Sequence, residues 1–251
     1  MPACFIRFYE ELNDFLPLKN QRVRFTALFR EGASVREVIE TLAVLPCEVD
    51  LILVNGQSVD FSYMLRNQDD ISVYPVFESF DIGPVTRLRP RPLRRTKFVL
   101  DVHLGKLARY LRLLGLDSCY KNDFTDRQIL GIMSRERRTI LTRDRKLLKM
   151  KAVTHGYFIR SENPKEQMVE VIQRFHLQNS IRPFTLCLQC NQPVEEISKN
   201  KILSRLQPRT RQFYDVFFHC PSCERLYWRG SHVRHMEHFL KEIGNAAGFC
   251  N

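Results

Sequence analysis

The chain has 251 residues, 44% of them hydrophobic and 27% charged, a globular balance that excludes a collagen-like or wholly disordered polymer. No apolar run approaches the ~18 residues of a membrane helix. The opening Met1-Pro2-Ala3-Cys4-Phe5 reaches Glu10 and Glu11 without a basic and then an apolar stretch, so no secretory signal and a cytoplasmic location are expected. The net charge of +11 is unevenly carried. Residues 1–82 hold 7 basic and 13 acidic side chains, residues 83–182 hold 23 and 9, and residues 183–251 hold 9 and 6. A middle this basic beside an acidic leader points to a polyanion as its partner.

Residues 1–81 read as a small α+β domain. Val23, Phe25, Ala27 and Phe29 alternate as in a strand. Ser34-Val-Arg-Glu37 has the form of a capping box opening a helix whose apolar face is Val35, Val38, Ile39 and Leu42. Leu51–Val54 is a short apolar strand, Asn55-Gly56 a tight turn that tolerates positive φ, and Ile71–Pro75 a closing strand. This order resembles a β-grasp (ubiquitin-like) fold, and Leu53–Gly56 with Asp69–Phe77 resembles its bacterial sulfur-carrier branch. Members of that branch end in a Gly-Gly tail; here the chain continues through Gly83-Pro84. The expectation is a binding or regulatory module with a protein partner.

Residues 82–96 read as a linker, with Pro84, Pro90 and Pro92 among Arg87, Arg89, Arg91, Arg94 and Arg95. Proline removes donors and favours extended chain, and the arginines could follow a phosphate backbone. Residues 97–182 then alternate strands and helices: Phe98–Leu100; a helix with Leu104, Leu107, Ala108, Leu111 and Leu114 on one face, stopped by Gly115; a helix over Asp126–Met133; a strand Thr139–Thr142; a helix opened by Thr142 or Asp144; a strand Tyr157–Ile159; and a helix capped by Ser161 or Asn163 with Pro164 in its first turn. Repeated β–α units predict a parallel sheet covered by helices.

Parallel α/β sheets bind ligands outside the carboxyl ends of their strands. Asp101 directly follows one strand, Asp144 another, and Asp126 begins the helix between them. Carboxylates converging at one edge repel each other unless cations intervene, and Mg²⁺ or Mn²⁺ suits such hard oxygens. Such ions activate water against a phosphodiester. Lys106, Arg109, Arg112, Arg143 and Arg145 are the candidate cations to hold the polyanion. Asp126 after Thr125, and Asp144, have also the simpler reading of helix caps.

The run Asp101–Asp117, the run Ile140-Leu-Thr-Arg-Asp-Arg-Lys-Leu-Leu148 and Phe158-Ile-Arg-Ser with Gln167 resemble the Mut-seven-C-terminal ribonuclease family, a branch of the PIN-like nucleases, over residues 97–240. The resemblance implies metal-dependent RNA cleavage by acids at Asp101, Asp126 and Asp144, after an N-terminal ubiquitin-like module. Many PIN-like nucleases carry a fourth acid just beyond the position of Asp144. Here Arg145 and Lys146 stand there, which leaves Asp117 and Asp123 as candidates for that role.

Residues 183–251 are expected to form a zinc ribbon and a C-terminal helix. Cys187-Leu-Gln-Cys190 and Cys220-Pro-Ser-Cys223 supply four thiolates, which close a tetrahedral Zn²⁺ sphere and make the ion structural. Such an ion compensates for a small core. Tyr227-Trp228-Arg229 could stack bases or pack the ribbon, and His232, His235 and His238 recur every three residues. The rivals to a ribonuclease are a non-catalytic RNA-binding protein and an adaptor with a β-grasp head.

Overall fold

The computed structural model describes residues 1–75, 86–88 and 96–230. Most of the arginine-rich linker, the histidine triplet at 232, 235 and 238, and the expected C-terminal helix lie outside the described residues. In chain order the elements are β1 (Ala3–Phe8), β2 (Phe25–Leu28), α1 (Val35–Thr41), β3 (Val49–Val54), β4 (Gln57–Val59), β5 (Asp70–Pro75), β6 (Phe98–Leu100), α2 (Gly105–Leu113), β7 (Ser118–Cys119), α3 (Asp126–Glu136), β8 (Thr139–Thr142), α4 (Arg145–Lys149), β9 (Gly156–Phe158), α5 (Pro164–Arg174), β10 (Glu195–Ile197), α6 (Pro208–Phe213), β11 (Phe217–His219) and β12 (Leu226–Trp228). They form two compact units. The first joins Met1–His103 to Lys121–Arg160; the second joins Leu104–Tyr120 to the chain from Ser161 onward. The stretch read as one nuclease domain contributes to both.

The first unit begins with a mixed five-stranded sheet in the order β2-β1-β5-β3-β4. Its centre is the parallel pair β1 and β5, in register from Phe5 opposite Asp70 to Phe8 opposite Val73; β2, β3 and β4 pair antiparallel. Alternation in β1 sends Cys4, Ile6 and Phe8 into the core, where α1 adds Val35, Val38 and Ile39. The β3–β4 turn places Asn55 at φ +51° and Gly56 at φ +81°, the left-handed pair that a two-residue hairpin requires. Ser34 caps α1 by accepting the Glu37 N–H. The reciprocal half of the expected box is not formed, and the Glu37 carboxylate lies 3.5 Å from Arg30. A full capping box forms instead at Thr125 and Gln128, where each side chain takes the other residue's backbone N–H.

The same unit carries three parallel strands in the order β6-β8-β9, with Phe98 opposite Thr139 and Ile140 opposite Gly156. All of β6 and β8 is buried, as parallel strands covered on both faces require. The β-grasp sheet is tied to this second sheet. Glu48, 1% exposed, accepts the Phe158 N–H at 2.9 Å and faces the Arg160 guanidinium at 3.5 Å. Arg160 also reaches Asp14, and Phe15 lies under both Arg145 and Arg160. A buried carboxylate held by a backbone N–H and a guanidinium is strongly position-specific, so the β-grasp module is fixed against β9 rather than carried as a loose head.

In the second unit, Leu104, Leu107, Ala108, Leu111 and Leu114 are each at most 1% exposed, the stripe the spacing predicted, and α2 packs on α5. Gly115 ends α2 at φ +79°, and a Cβ there would collide with the Arg182 carbonyl oxygen. An antiparallel ribbon in the order β10-β11-β12 follows, over a core that among the described residues consists of Ile202, Leu206 and Phe217.

Candidate functional site

Two groupings of chemically active side chains are built by these elements, one in each unit. At the carboxyl edge of the parallel sheet, Asp101 follows β6 and Asp144 caps α4 just past β8. The two are linked through Thr142. Its hydroxyl donates to Asp101 Oδ2 at 2.6 Å and accepts the Asp144 N–H at 2.8 Å. Asp101 Oδ1 accepts the Val102 N–H at 2.6 Å. Asp101 is 7% exposed, and no lysine or arginine pairs with it among the described residues. A buried carboxylate without a counter-charge carries a desolvation cost that two neutral donors offset only in part. Asp144 is exposed, with Oδ1 accepting the Lys146 N–H at 2.7 Å. It is therefore a helix cap, as the simpler reading had it, with its second oxygen unengaged among the described residues.

Asp126 stands in the first turn of α3. Asp126 is exposed and is not the cap, since Thr125 fills that role. The three aspartates do not draw together into one tight ligand group. Among the described residues only the four cysteines do so. Thr142 was missed by the sequence reading; the available signal was a buried hydroxyl at the end of an otherwise apolar strand, two residues before an acid.

The candidate cations separate by their surroundings. Lys106 and Arg109 are exposed on α2. Arg143 is half-buried and donates to the Arg160 carbonyl at 2.7 Å, and Arg145 lies 4.9 Å over the Phe158 ring. Arg112 is corrected from RNA ligand to internal strut. It is 3% exposed and donates to the carbonyls of Ser118 (2.9 Å), Leu188 (3.1 Å) and Gln189 (2.8 Å). Burial lowers its pKa, while the charges of nearby thiolates and Asp117 oppose that shift. Asp117 is likewise engaged at the first knuckle, accepting from the Asn191 amide at 2.6 Å.

The cysteine centre is made of two copies of one turn. The Cys187 N–H reaches the Gln192 carbonyl and the Asn191 N–H returns to the Cys187 carbonyl; Cys220 with Arg225 and Glu224 repeats both bonds. The fifth residue of each turn is left-handed, Asn191 at φ +63° and Glu224 at φ +57°. The turns bring Cys187 Sγ to 3.4 Å from Cys223 Sγ, and Cys190 Sγ to 3.5 Å from Cys220 Sγ, with all four within 4.8 Å of one another. Zinc–sulfur bonds of about 2.3 Å in a tetrahedron place sulfurs about 3.8 Å apart, so this donor set fits Zn²⁺. Burial works against a charged Cys187. The Tyr227 hydroxyl at 3.0 Å and backbone N–H groups outweigh it and pull the thiol down to about 6. Burial beside the other sulfurs pushes Cys190 up to about 12.

Truncating Arg112 tests the strut. Arg112→Ala removes the donor from one buried carbonyl, that of Ser118, and from the part-buried carbonyls of Leu188 and Gln189, and is expected to cost about 2 kcal/mol or more. Arg112→Lys should fail to restore it, because one ammonium cannot replace a planar fork. A denaturation curve read at Trp228, the only tryptophan, measures both.

These features define a mixed α/β protein with a ubiquitin-like sheet, a parallel sheet bearing acids at its carboxyl edge, and a four-cysteine cluster able to hold zinc. The chain belongs to the Mut7-C RNAse domain family, whose model matches residues 96–240, and residues 1–81 match the model of the Mut7-C ubiquitin domain. No curated protein and no solved structure matches the chain. No helix among the described residues is long and apolar enough to cross a membrane.

Proposed function

We propose that the protein is a metal-dependent ribonuclease whose reacting edge is the carboxyl end of β6 and β8. The observation that supports it is the Thr142 hydroxyl joining Asp101 to the backbone of Asp144, which sets a buried, uncompensated carboxylate beside a second acid. Asp101 and Asp144 would hold a divalent ion of the Mg²⁺ or Mn²⁺ class, for which carboxylate oxygens are the matched donors. Bound there, such an ion lowers the pKa of water and offsets charge on a phosphodiester.

The chain's own residues do the rest. Thr142 fixes the Asp101 oxygens, so no reorganisation is needed when charge develops. Asp126, exposed in the first turn of α3, would ligate the ion or orient water. Lys106 and Arg109, exposed on α2, would hold phosphate groups of the strand, and Arg143 and Arg145 would do the same beside Asp144 in the chain. The four cysteines take Zn²⁺ as a structural ion apart from the chemistry.

The test is incubation of the purified, zinc-loaded protein with single-stranded and structured RNAs, with Mn²⁺ added or omitted. Cleavage that appears on addition and follows its concentration supports the reading. Intact RNA at every Mn²⁺ and Mg²⁺ concentration, with the strands still bound, would replace it with a non-catalytic RNA-binding role.

A further inference from the structure

The second unit contains a cleft whose aromatic walls the proposed chemistry does not use; of the residues named above it shares only Arg109. It has a volume of about 520 Å³ and lies between α2, α6 and the ribbon. Its walls include the rings of Phe184, Tyr214, Tyr227 and Trp228, with Leu113 beside them and the Arg109 side chain from α2. None of the residues lining it is acidic.

The aromatic walls are held from behind. The Tyr227 hydroxyl is bonded to Cys187 Sγ at 3.0 Å, which anchors that ring to the metal turn. Trp228 lies against Phe217 at 6.3 Å and Tyr214 at 6.4 Å between ring centres. Phe184 stacks on Phe218 at 5.1 Å, with the Arg229 guanidinium 5.6 Å from its ring. Rings fixed in this way lose little freedom when a flat guest enters.

We infer that this cleft is a seat for an unstacked nucleobase of single-stranded RNA, with Arg109 engaging the adjoining phosphate. The inference rests on RNA as the substrate class, and it adds a place where the strand is gripped apart from the carboxylate edge. Three properties select the guest. Aromatic faces bind any base by stacking, which is worth about tenfold or more in affinity per base. A guanidinium with no carboxylate among the lining residues favours an anion, so charge complementarity argues against a basic peptide or an uncharged aliphatic guest. The volume falls within the range of small-ligand clefts, roughly 300–1,000 Å³.

The single tryptophan of the chain is part of this wall, so occupancy is read directly from its emission. The full-length, zinc-loaded protein is titrated with a single-stranded RNA hexamer in buffer without Mn²⁺ or Mg²⁺, and with a hexamer of the same backbone lacking bases. The RNA is expected to quench Trp228. The abasic strand is expected to bind about tenfold more weakly and to leave emission unchanged.

Tyr214→Ala and Arg109→Glu should each weaken the quench about tenfold. Arg109 is exposed, so Arg109→Glu should keep the zinc content and unliganded spectrum of the parent. Equal quenching by the two strands would reduce the effect to backbone charge and overturn the proposal. Emission that ignores RNA but shifts with protein concentration would assign the cleft to a second copy of the chain, and would also overturn it. Parallel cleavage assays separate the two readings: quenching without cleavage removes the nuclease alone, and cleavage without quenching removes the base seat alone.

Discussion

Asp101→Asn is expected to abolish RNA cleavage, on the order of 10³-fold, while leaving the melting temperature unchanged or raised. The two halves of this outcome have one cause. Asp101 is 7% exposed and its described partners are the Val102 N–H and the Thr142 hydroxyl, both neutral donors. Those bonds stabilise a carboxylate but do not cancel its charge, so folding without a bound cation bears a desolvation cost. An asparagine keeps the Val102 bond through its carbonyl oxygen and removes the charge. Its amide then faces Thr142, whose hydroxyl can turn to accept, at the expense of its grip on the oxygen. Stability is therefore retained or improved by about 1 kcal/mol, and the cation loses its buried anchor.

A structural acid would behave in the opposite way, with a clear loss of stability on substitution. Thr142→Val sharpens the test. It keeps the shape and both acids but removes the bridge, and should lower cleavage about 10- to 100-fold, partly recovered by raising Mn²⁺. Thermal melts of both variants, beside cleavage rates over a Mn²⁺ series, are the measurements. A fall in melting temperature of Asp101→Asn with cleavage intact would remove Asp101 from the chemistry.

The sequence was most legible where local rules and tertiary packing agree. Asn55-Gly56 turns β3 into β4 because both residues accept positive φ, and the α2 stripe is buried because five apolar side chains recur at helical spacing. The knuckles were legible because two short Cys-x-x-Cys turns carry their own backbone geometry. What escaped depends on partners distant in the chain. Arg112 falls off the apolar stripe, which predicts a solvent-facing cation, yet the carbonyls of Leu188 and Gln189, more than 70 residues away, draw it inside. Nor does spacing reveal that Glu37 turns to Arg30 rather than completing its box. At the acid edge, periodicity identified strand ends but not the hydroxyl between them. A threonine in a β-branched run reads as strand propensity, and its bridging of Asp101 and Asp144 emerges only when β6 and β8 are aligned.

Removal of metal from the cysteine centre is expected to unfold the ribbon while the first unit stays folded. Among the described residues, the core beneath β10, β11 and β12 contains only Ile202, Leu206 and Phe217 as buried residues, with Ile197, Tyr214, Leu226 and Trp228 packed partly against it. At about 1.5–3 kcal/mol for each fully buried large side chain, that core cannot offset the conformational entropy of ordering residues 186–228. The free energy of structural zinc binding, roughly 10–16 kcal/mol in small zinc modules, is large enough to close the gap. The first unit has a separate core from Cys4 to Val73 and no metal group among its described residues.

A strong chelator, or Cys220→Ser, should therefore shift Trp228 emission to the red, release one zinc per chain and leave most of the far-ultraviolet signal in place. Readdition of Zn²⁺ should restore the chelated protein but not the variant, since a hydroxyl is a poor replacement for a thiolate ligand. Because Arg112 fastens the first knuckle to α2 through the Leu188 and Gln189 carbonyls, the disturbance should extend to that helix, and amide exchange over Gly105–Leu113 should quicken with the ribbon's. A Trp228 spectrum unmoved by stoichiometric zinc loss would show that packing alone holds the ribbon, and the structural role of the four cysteines would fall with it.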